Sequence, residues 1–338
     1  MQKARVNIGL IGTGRLGMTY AEYLTTRIPQ ARLVGVADLV PERAAVCAET
    51  FGLSKCYGSH QDLIDDPEID AFVVVTTTTT HREIIADAAR TGRPIFCEKP
   101  LALSLADARE IKDAVLKANC LFQMGFMRRF DKGYRAAKAK IESGTIGTPV
   151  VFRGSSRDPY RPSLEFLAPE KSGGLILDMA VHDIDIARWY MGEIATVYVV
   201  GGVLAYPEMK DTGDVDNAIM VFTFENGCLG QIDVSRNGVY GYDIRAEVLG
   251  TKGTIKVGYL RETPILVMTA AGVNHDVVPH FPERFGQAYI DQLIDFVQNV
   301  SEQREPSVTV EDGIKALQVA VAATHSLKTN DRVFVKDF

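Results

Sequence analysis

Residues 6–17, which read VNIGLIGTGRLG, decide the fold of this chain. The apolar run from Val6 to Ile11 predicts a buried strand, and glycines follow it in the spacing Gly-x-Gly-x-x-Gly at positions 12, 14 and 17. Between a strand and a helix, the first glycine permits a tight turn, the second lets the backbone approach a pyrophosphate, and the third lets helix and strand pack closely. The stretch therefore predicts a dinucleotide site at a helix N-terminus, with a plain strand–turn–helix bend as the alternative.

A carboxylate further along the chain supports the dinucleotide interpretation. Asp38 ends the next predicted strand, where its side chain can accept hydrogen bonds from a ribose 2′-hydroxyl. It would repel a 2′-phosphate, and the neighbouring Leu39 offers no compensating cation, so we predict NAD rather than NADP, with Arg43 as the one nearby cation. Asp38 can also act like a helix-capping residue before Pro41, and the two roles are compatible.

The pattern around this unit predicts two domains. Up to residue 125, short apolar runs such as Ala71 to Thr76 alternate with helical patterns such as Arg82 to Thr91. That alternation predicts an α/β domain, a doubly wound parallel sheet of the Rossmann type covered on both faces. From residue 126 to 338, β-rich runs separated by turns such as Glu225-Asn226-Gly227 predict an α+β domain with a mainly antiparallel sheet.

Composition excludes several functional classes. The 338 residues are 46% hydrophobic and 24% charged, as in an ordinary soluble protein. A net charge of −6 without a basic block argues against nucleic-acid or membrane partners. The apolar runs are far shorter than the roughly 20 residues that span a bilayer, and the N-terminus shows no secretory signal. Five scattered cysteines indicate reduced thiols, so we predict a cytoplasmic protein.

Glu98-Lys99-Pro100 is the first candidate for chemistry. It directly follows a short predicted strand, so the Lys99 ammonium would lie at the carboxyl edge of the sheet, where ligands bind. The proline restricts Lys99 to extended geometry and permits a cis peptide bond. An exposed loop lysine is the alternative interpretation.

The second candidate is a helix that follows Gly173-Gly174. Asp178, His182 and Asp185 are spaced by four and three residues, which places their side chains on one face. A histidine between two carboxylates suits general-base catalysis near neutral pH, and a buried histidine at an interface is the alternative. The same three residues have ligand-like spacing, but no second histidine or cysteine lies nearby, so we predict no metal.

Two further segments leave alternatives open. Arg128 and Arg129 either donate hydrogen bonds to substrate or cofactor, or form structural ion pairs. The run from Thr76 to Thr80 either offers hydroxyls to the cofactor or caps the next helix.

Together these motifs resemble the Gfo/Idh/MocA family, named after glucose–fructose oxidoreductase, inositol dehydrogenase and a rhizopine-catabolism protein. The resemblance covers nearly the whole chain, including the tail Pro306-Ser307-Val308-Thr309 with Asp312-Gly313. The run from Met124 to Asp131 is similar to that of the inositol 2-dehydrogenases within the family.

The resemblance implies an NAD-dependent enzyme that oxidises a secondary alcohol of a cyclic polyol. The expected substrate is an inositol, either myo- or scyllo-inositol. The alternatives are an aldose 1-dehydrogenase of the same family and a non-catalytic NAD-binding regulator. It also implies an open-faced C-terminal sheet that forms dimers or tetramers.

The resemblance further implies roles for individual residues. The expected catalytic residues are Lys99, Asp178 and His182. The expected cofactor-binding residues are Gly12, Thr13, Gly14, Arg15, Leu16, Asp38, Thr76, Thr77, His81, Glu98 and Lys99. The expected substrate-binding residues are Lys99, Arg129, Asp158, Asp178, His182 and Asp185. Thr77 departs from the family pattern, in which many members carry proline at this position.

Overall fold

The computed structural model describes residues 5–338, and the chain divides into two compact units. The first unit runs to Met127 and takes up residues 289–315 again, and the second comprises residues 128–288 and 316–338. The sequence pattern, by contrast, predicts that all residues after 125 belong to the second domain. Residues 289–315 belong to the first unit because Tyr289 and Phe296 pack edge to face against Tyr20 and Phe96, with ring centroids 6.0 and 5.7 Å apart.

A six-stranded parallel sheet forms the centre of the first unit. Its strands are β1 (Val6–Ile11), β2 (Ala31–Ala37), β3 (Lys55–Tyr57), β4 (Ala71–Val74), β5 (Ile95–Glu98) and β6 (Phe122–Gly125). They lie in the order β3-β2-β1-β4-β5-β6. This is the doubly wound order of dinucleotide-binding domains, with the change of direction between β1 and β4, and it confirms the predicted fold.

Helices connect these strands as the alternating pattern predicts. They are α1 (Arg15–Thr26), α2 (Pro41–Phe51), α3 (His60–Ile64), α4 (His81–Ala89) and α5 (Leu105–Lys117). Side-chain caps fix two of their starts, since Ser59 accepts from Asp62 N and Ser104 accepts from Asp107 N.

The second unit is built on a seven-stranded mixed sheet. Its strands are β7 (Pro149–Arg157), β8 (Ile194–Gly202), β9 (Asn217–Phe224), β10 (Leu229–Ser235), β11 (Asp243–Gly250), β12 (Gly253–Val257) and β15 (Val333–Phe334), and β13 (Val267–Thr269) pairs separately with β14 (Gly272–Asn274). The order is β12-β11-β7-β10-β9-β8-β15, and β7 with β10 is the parallel pair among antiparallel ones. The mainly antiparallel sheet is therefore confirmed.

The helices that follow β6 are α6 (Lys132–Glu142), α7 (Leu164–Leu167), α8 (Pro169–Ser172), α9 (Val181–Met191), α10 (Phe281–Glu302) and α11 (Val310–Thr329). The sequence predicts one helix over 177–191, but a π-helical turn, Ile176–Ala180, precedes α9. From residue 5 onward, the chain forms no helix with both the length and the hydrophobicity that a membrane crossing requires.

One face of the seven-stranded sheet is buried and the other is exposed. On β9, Met220 and Phe222 are buried, while Ile219 and Val221 are 51% and 45% exposed. The alternation follows the period of two of a strand whose inner face packs on a core. Helix α9 lies on the buried face, where Asp183 accepts a 2.5 Å hydrogen bond from the Ser156 hydroxyl of β7.

Candidate functional site

The turn between β1 and α1 leaves no room for side chains at two of its glycines. Gly12 has a φ of +97°, and a Cβ there would lie 2.6 Å from the carbonyl oxygen of Val75. A Cβ on Gly17 would lie 2.1 Å from the carbonyl oxygen of Gly12. The glycines therefore allow strand, turn and helix to approach as closely as the motif predicts.

Gly14 has a different environment, which fits a phosphate. It is the N-cap residue of α1 and supplies no side-chain hydrogen bond to the helix, and a Cβ added to it would meet nothing within 4 Å. The first N–H groups of a helix have no partner within the helix and carry the positive end of its dipole. The N-terminus of α1 thus offers donors beside open space, as a pyrophosphate requires.

Asp38 is held next to this turn. Its Oδ2 accepts from the amide and the hydroxyl of Thr13, at 2.8 and 2.9 Å, and its Oδ1 accepts from Val40 N at 2.9 Å. Val40, rather than Asp38, is the N-cap residue of α2. The carboxylate is therefore fixed at the end of β2, where a ribose 2′-hydroxyl would be recognised.

This arrangement predicts a measurable preference between the two coenzymes. We expect NAD to bind at least tenfold more tightly than NADP, because a carboxylate at the position of Asp38 would accept a hydrogen bond from a 2′-hydroxyl and repel a 2′-phosphate. Replacing Asp38 with serine should reduce the ratio of the affinities for NAD and NADP. The control variant E42Q changes an exposed residue of α2 and should leave that ratio unchanged. Titration of both coenzymes against the three proteins measures the effect, and tighter binding of NADP by the wild type would contradict it.

The threonine run forms a compact turn ahead of α4. Residues Thr78–Thr80 make a 3₁₀ turn, and the Thr80 hydroxyl bonds to the Thr76 hydroxyl and to the carbonyl of Thr77, each at 2.8 Å. Thr80 is the N-cap residue of α4 but makes no side-chain hydrogen bond to the helix, so the run does not provide the side-chain cap that one of the two sequence interpretations predicts. Cofactor contacts by Thr76 and Thr77 stay a prediction.

His81 connects this turn with the loop after β5. It is buried, with Nδ1 3.0 Å from the carbonyl oxygen of Pro100 and Nε2 3.3 Å from that of Thr76. Burial lowers the pKa of the imidazole. Both ring nitrogens therefore contact main-chain carbonyls, and a cofactor contact by His81 stays a prediction.

Lys99 follows the last residue of β5 and is half-buried. The peptide bond between Lys99 and Pro100 is cis, a form that a bond before proline permits. The main-chain N–H of Lys99 donates to Glu98 Oε2 at 3.1 Å. The Glu98 carboxylate thus holds the main chain at Lys99 in place.

A buried network holds that carboxylate. The Tyr20 hydroxyl donates to Glu98 Oε1, and Gln292 Nε2 lies 3.1 Å from the same oxygen and 2.6 Å from the tyrosine oxygen. Burial raises the pKa of Glu98. Sequence reasoning missed Tyr20 and Gln292, which are 78 and 194 residues from Glu98 and carry no motif. A cofactor contact by Glu98 stays a prediction.

The second unit holds the other candidate residues. Gly173 and Gly174 both have φ near +80°, and the π-helical turn that follows them contains Asp178. His182 lies in the first turn of α9 and is 8% exposed, and π-turns frequently occur at functional sites. Asp178 and His182 therefore lie on one helical segment, as their spacing predicts.

Two adjacent arginines form buried ion pairs with this helix. Arg129 donates to both oxygens of Asp185, from Nε at 2.9 Å and from Nη2 at 2.6 Å. Arg128 donates to Asp183 Oδ1 at 2.8 Å. These contacts agree with the structural alternative for the arginines, and substrate contacts by Arg129 and Asp185 stay a prediction.

Asp178 and Asp158 have partners that the sequence did not indicate. The Nη1 group of Arg236 donates to Asp178 Oδ2 at 3.0 Å, and the arginine side chain is fully buried. The main chain of Asp158 bonds to Ser235 O at 2.9 Å and accepts from Gly238 N at 2.7 Å. Substrate contact by the Asp158 side chain stays a prediction.

Comparisons with known proteins cover both units. The family described as "Oxidoreductase family, NAD-binding Rossmann fold" matches residues 6–126, and "Oxidoreductase family, C-terminal alpha/beta domain" matches residues 138–335. These are the two domains of the Gfo/Idh/MocA proteins.

Relatives and solved structures extend the match over almost the full length. The chain is 40% identical to a scyllo-inositol 2-dehydrogenase (NAD(+)) of Bacillus subtilis, over 96% of this chain and 94% of that protein. It is also 40% identical to a myo-inositol 2-dehydrogenase of Thermotoga maritima, over 98% and 99%. The crystal structure of scyllo-inositol dehydrogenase from Lactobacillus casei, with bound NAD(H) and scyllo-inositol, matches with a TM-score of 0.93 at 31% identity, covering 98% of this chain and 99% of that one.

Proposed function

The chain belongs to the Gfo/Idh/MocA family of oxidoreductases, and on that premise we propose that it oxidises a secondary alcohol of an inositol, myo- or scyllo-, to the ketone with NAD. It is an NAD-dependent oxidoreductase that acts on CH–OH groups. The observation that supports this proposal best is that the 40% identity to inositol dehydrogenases extends over both the first unit and the second unit, which contains Asp178 and His182.

The residues of the first unit fit the coenzyme. The N-terminus of α1 offers N–H donors for a pyrophosphate, Gly14 leaves open space beside them, and Asp38 is fixed to accept from a ribose hydroxyl. Bound NAD supplies the acceptor for the hydride that leaves the substrate carbon.

Three side chains carry the protein's share of the reaction. His182 accepts the proton of the substrate hydroxyl at a ring nitrogen, as a general base. Lys99 donates a hydrogen bond to the same oxygen and stabilises the negative charge that develops there. Asp178 orients one of these two groups and balances their charge, while the other hydroxyls of the ring are held by further polar residues, for which Asp158, Asp185 and Arg129 are the candidates.

A panel of substrates tests this function against its two alternatives. We would offer myo-inositol, scyllo-inositol and aldoses with NAD and follow reduced coenzyme by absorbance. Turnover of an inositol supports the proposal, whereas turnover of aldoses alone would assign the chain to the sugar 1-dehydrogenases. If none of the compounds is turned over, the non-catalytic regulator is favoured, although a regulator has no need of Lys99, Asp178 and His182 together.

We also propose that the protein forms a homo-oligomer through the open face of the seven-stranded sheet. Apolar side chains on that face, Val200, Ile219, Val221 and Leu229, are 45–55% exposed. Contiguous exposed apolar surface marks interaction sites, and a second copy of the chain offers the same apolar surface in return. We place the oligomer in the cytoplasm, in keeping with its five free cysteines.

Replacing Ile219 with aspartate should break this assembly. A carboxylate in the middle of an apolar interface loses its hydration without gaining a partner, so we expect a shift to smaller species. Light scattering after gel filtration measures the mass, with L116D as the control because Leu116 is a similarly exposed apolar residue on α5, outside the sheet. An unchanged mass for I219D, or a monomeric wild type, would contradict the proposal.

A further inference from the structure

Arg236 is a fully buried cation beside the candidate catalytic helix. It follows β10 directly, its side chain is 0% exposed, and its Nη1 donates to Asp178 Oδ2 at 3.0 Å. Its Nε and Nη2 donate no hydrogen bond to any residue of the described range 5–338. A buried guanidinium with so few hydrogen bonds is costly, and its carboxylate partners offset that cost.

The second partner, Asp214, fixes the start of the helical segment. Both of its oxygens accept from Leu175 N, at 3.0 and 2.9 Å, and its Oδ2 lies 4.0 Å from Arg236 Nη2. A Cβ on Gly174 would lie 2.9 Å from the Asp214 carboxylate, so the glycine permits this close approach. Burial raises the pKa of Asp214. Arg236 thus bridges the carboxylate that caps the segment and the carboxylate within it.

The π-helical turn explains why Asp178 needs such an anchor. A π-turn replaces the regular i→i−4 hydrogen bonds of a helix with a wider pattern, so a side chain within it points in a direction that regular helical spacing does not give. Asp178 lies in the middle of this turn, four residues before His182. An ion pair from a neighbouring strand end fixes the carboxylate relative to α9.

We propose that Arg236 is a positioning residue for the oxidation, which holds the Asp178 carboxylate in the orientation that serves the reaction. The inference rests on the proposed function. Because its side chain is 0% exposed, Arg236 acts through Asp178 and does not itself touch the substrate. Asp214 supports it by capping Leu175 and sharing the charge.

Kinetics of R236M and R236K test the proposal. R236M removes the charge, and we expect kcat per coenzyme-binding site to fall by about 10- to 100-fold, because the Asp178 carboxylate loses its orientation, with NAD affinity kept. R236K restores a cation and should recover part of that loss. R284M is the matched control, because Arg284 is also buried and ion-paired, with Asp131 at 2.8 Å, in the same unit. It should lower the melting temperature and leave kcat per site unchanged.

Equal kcat per site in wild type and R236M would overturn the inference, since a purely structural arginine lowers only the number of folded sites. A second test compares the melting temperatures of R236M, D178N and the double variant, and it does not depend on activity. If the losses of the two single variants simply add up in the double variant, the two side chains do not interact, and the pairing itself is overturned. A double variant that melts no lower than R236M supports it. Failure of the wild type to oxidise any polyol is a separate result, which overturns the proposed function and the role of Arg236 in it.

Discussion

Replacing His182 with alanine is expected to lower kcat by about 10²- to 10⁴-fold while the affinity for NAD stays unchanged, because general-base catalysis contributes rate enhancements of this size. Without the imidazole, the proton of the substrate hydroxyl must go to water or hydroxide. We therefore expect the residual rate of H182A to keep rising with pH after the wild-type rate has levelled off.

The surroundings of His182 make this variant informative. The residue lies in the first turn of α9, and two buried ion pairs, Arg128 with Asp183 and Arg129 with Asp185, hold the same helix. Removing one imidazole should leave that scaffold intact, and melting temperature checks this. H325A, a change at an exposed histidine of α11, serves as the control. Wild-type kcat in H182A at neutral pH would remove the histidine from the chemistry.

The cofactor half of the molecule could be predicted from sequence because its determinants are local. The turn at Gly12 and Gly17 needs glycine for reasons of backbone contact within a few residues, and the strand before it is a continuous apolar run. The carboxylate of Asp38 follows the next strand directly. Each feature is determined by short-range sterics, which a single sequence displays.

The pairings around the catalytic candidates could not be predicted in the same way. Arg236 meets Asp178 across 58 residues, and Gln292 meets Glu98 across 194. A donor and an acceptor can be recognised in a sequence, but their partners depend on how strands and helices pack. For the same reason, the sequence alone could not decide whether Arg129 contacts the substrate or forms the ion pair with Asp185.

Irregular local structure was the other source of differences. The spacing of Asp178 and His182 fits a regular helix, and the extra residue of a π-turn leaves no mark on such a pattern. Helix α6 went unpredicted although Asp131 caps it, with Oδ1 accepting from Gly133 N and Tyr134 N. An aspartate directly before a helical pattern is an N-cap signal, and Asp131 is the residue from which this helix could have been predicted.

Replacing Lys99 with methionine should lower kcat by about 10²- to 10³-fold, the usual cost of removing one donor that stabilises developing negative charge on oxygen. Methionine keeps most of the side-chain volume, and the main chain at position 99 stays bonded to the buried Glu98 carboxylate, so the loop should hold its shape. K99R keeps the charge but not the geometry of the ammonium, and we expect it to recover only part of the rate.

The pH profile of kcat/KM separates this role from a structural one. If the lysine stabilises an alkoxide, K99M changes both the rate and the profile, whereas K117M, at the C-terminal end of α5, changes neither. Wild-type values for K99M would exclude the lysine from the reaction. The double variant of K99M and H182A gives a sharper criterion. If the two groups act together on one hydroxyl, its loss of kcat/KM should be much smaller than the product of the losses in the single variants. Fully multiplicative losses would mean that Lys99 and His182 contribute independently and do not act as a unit.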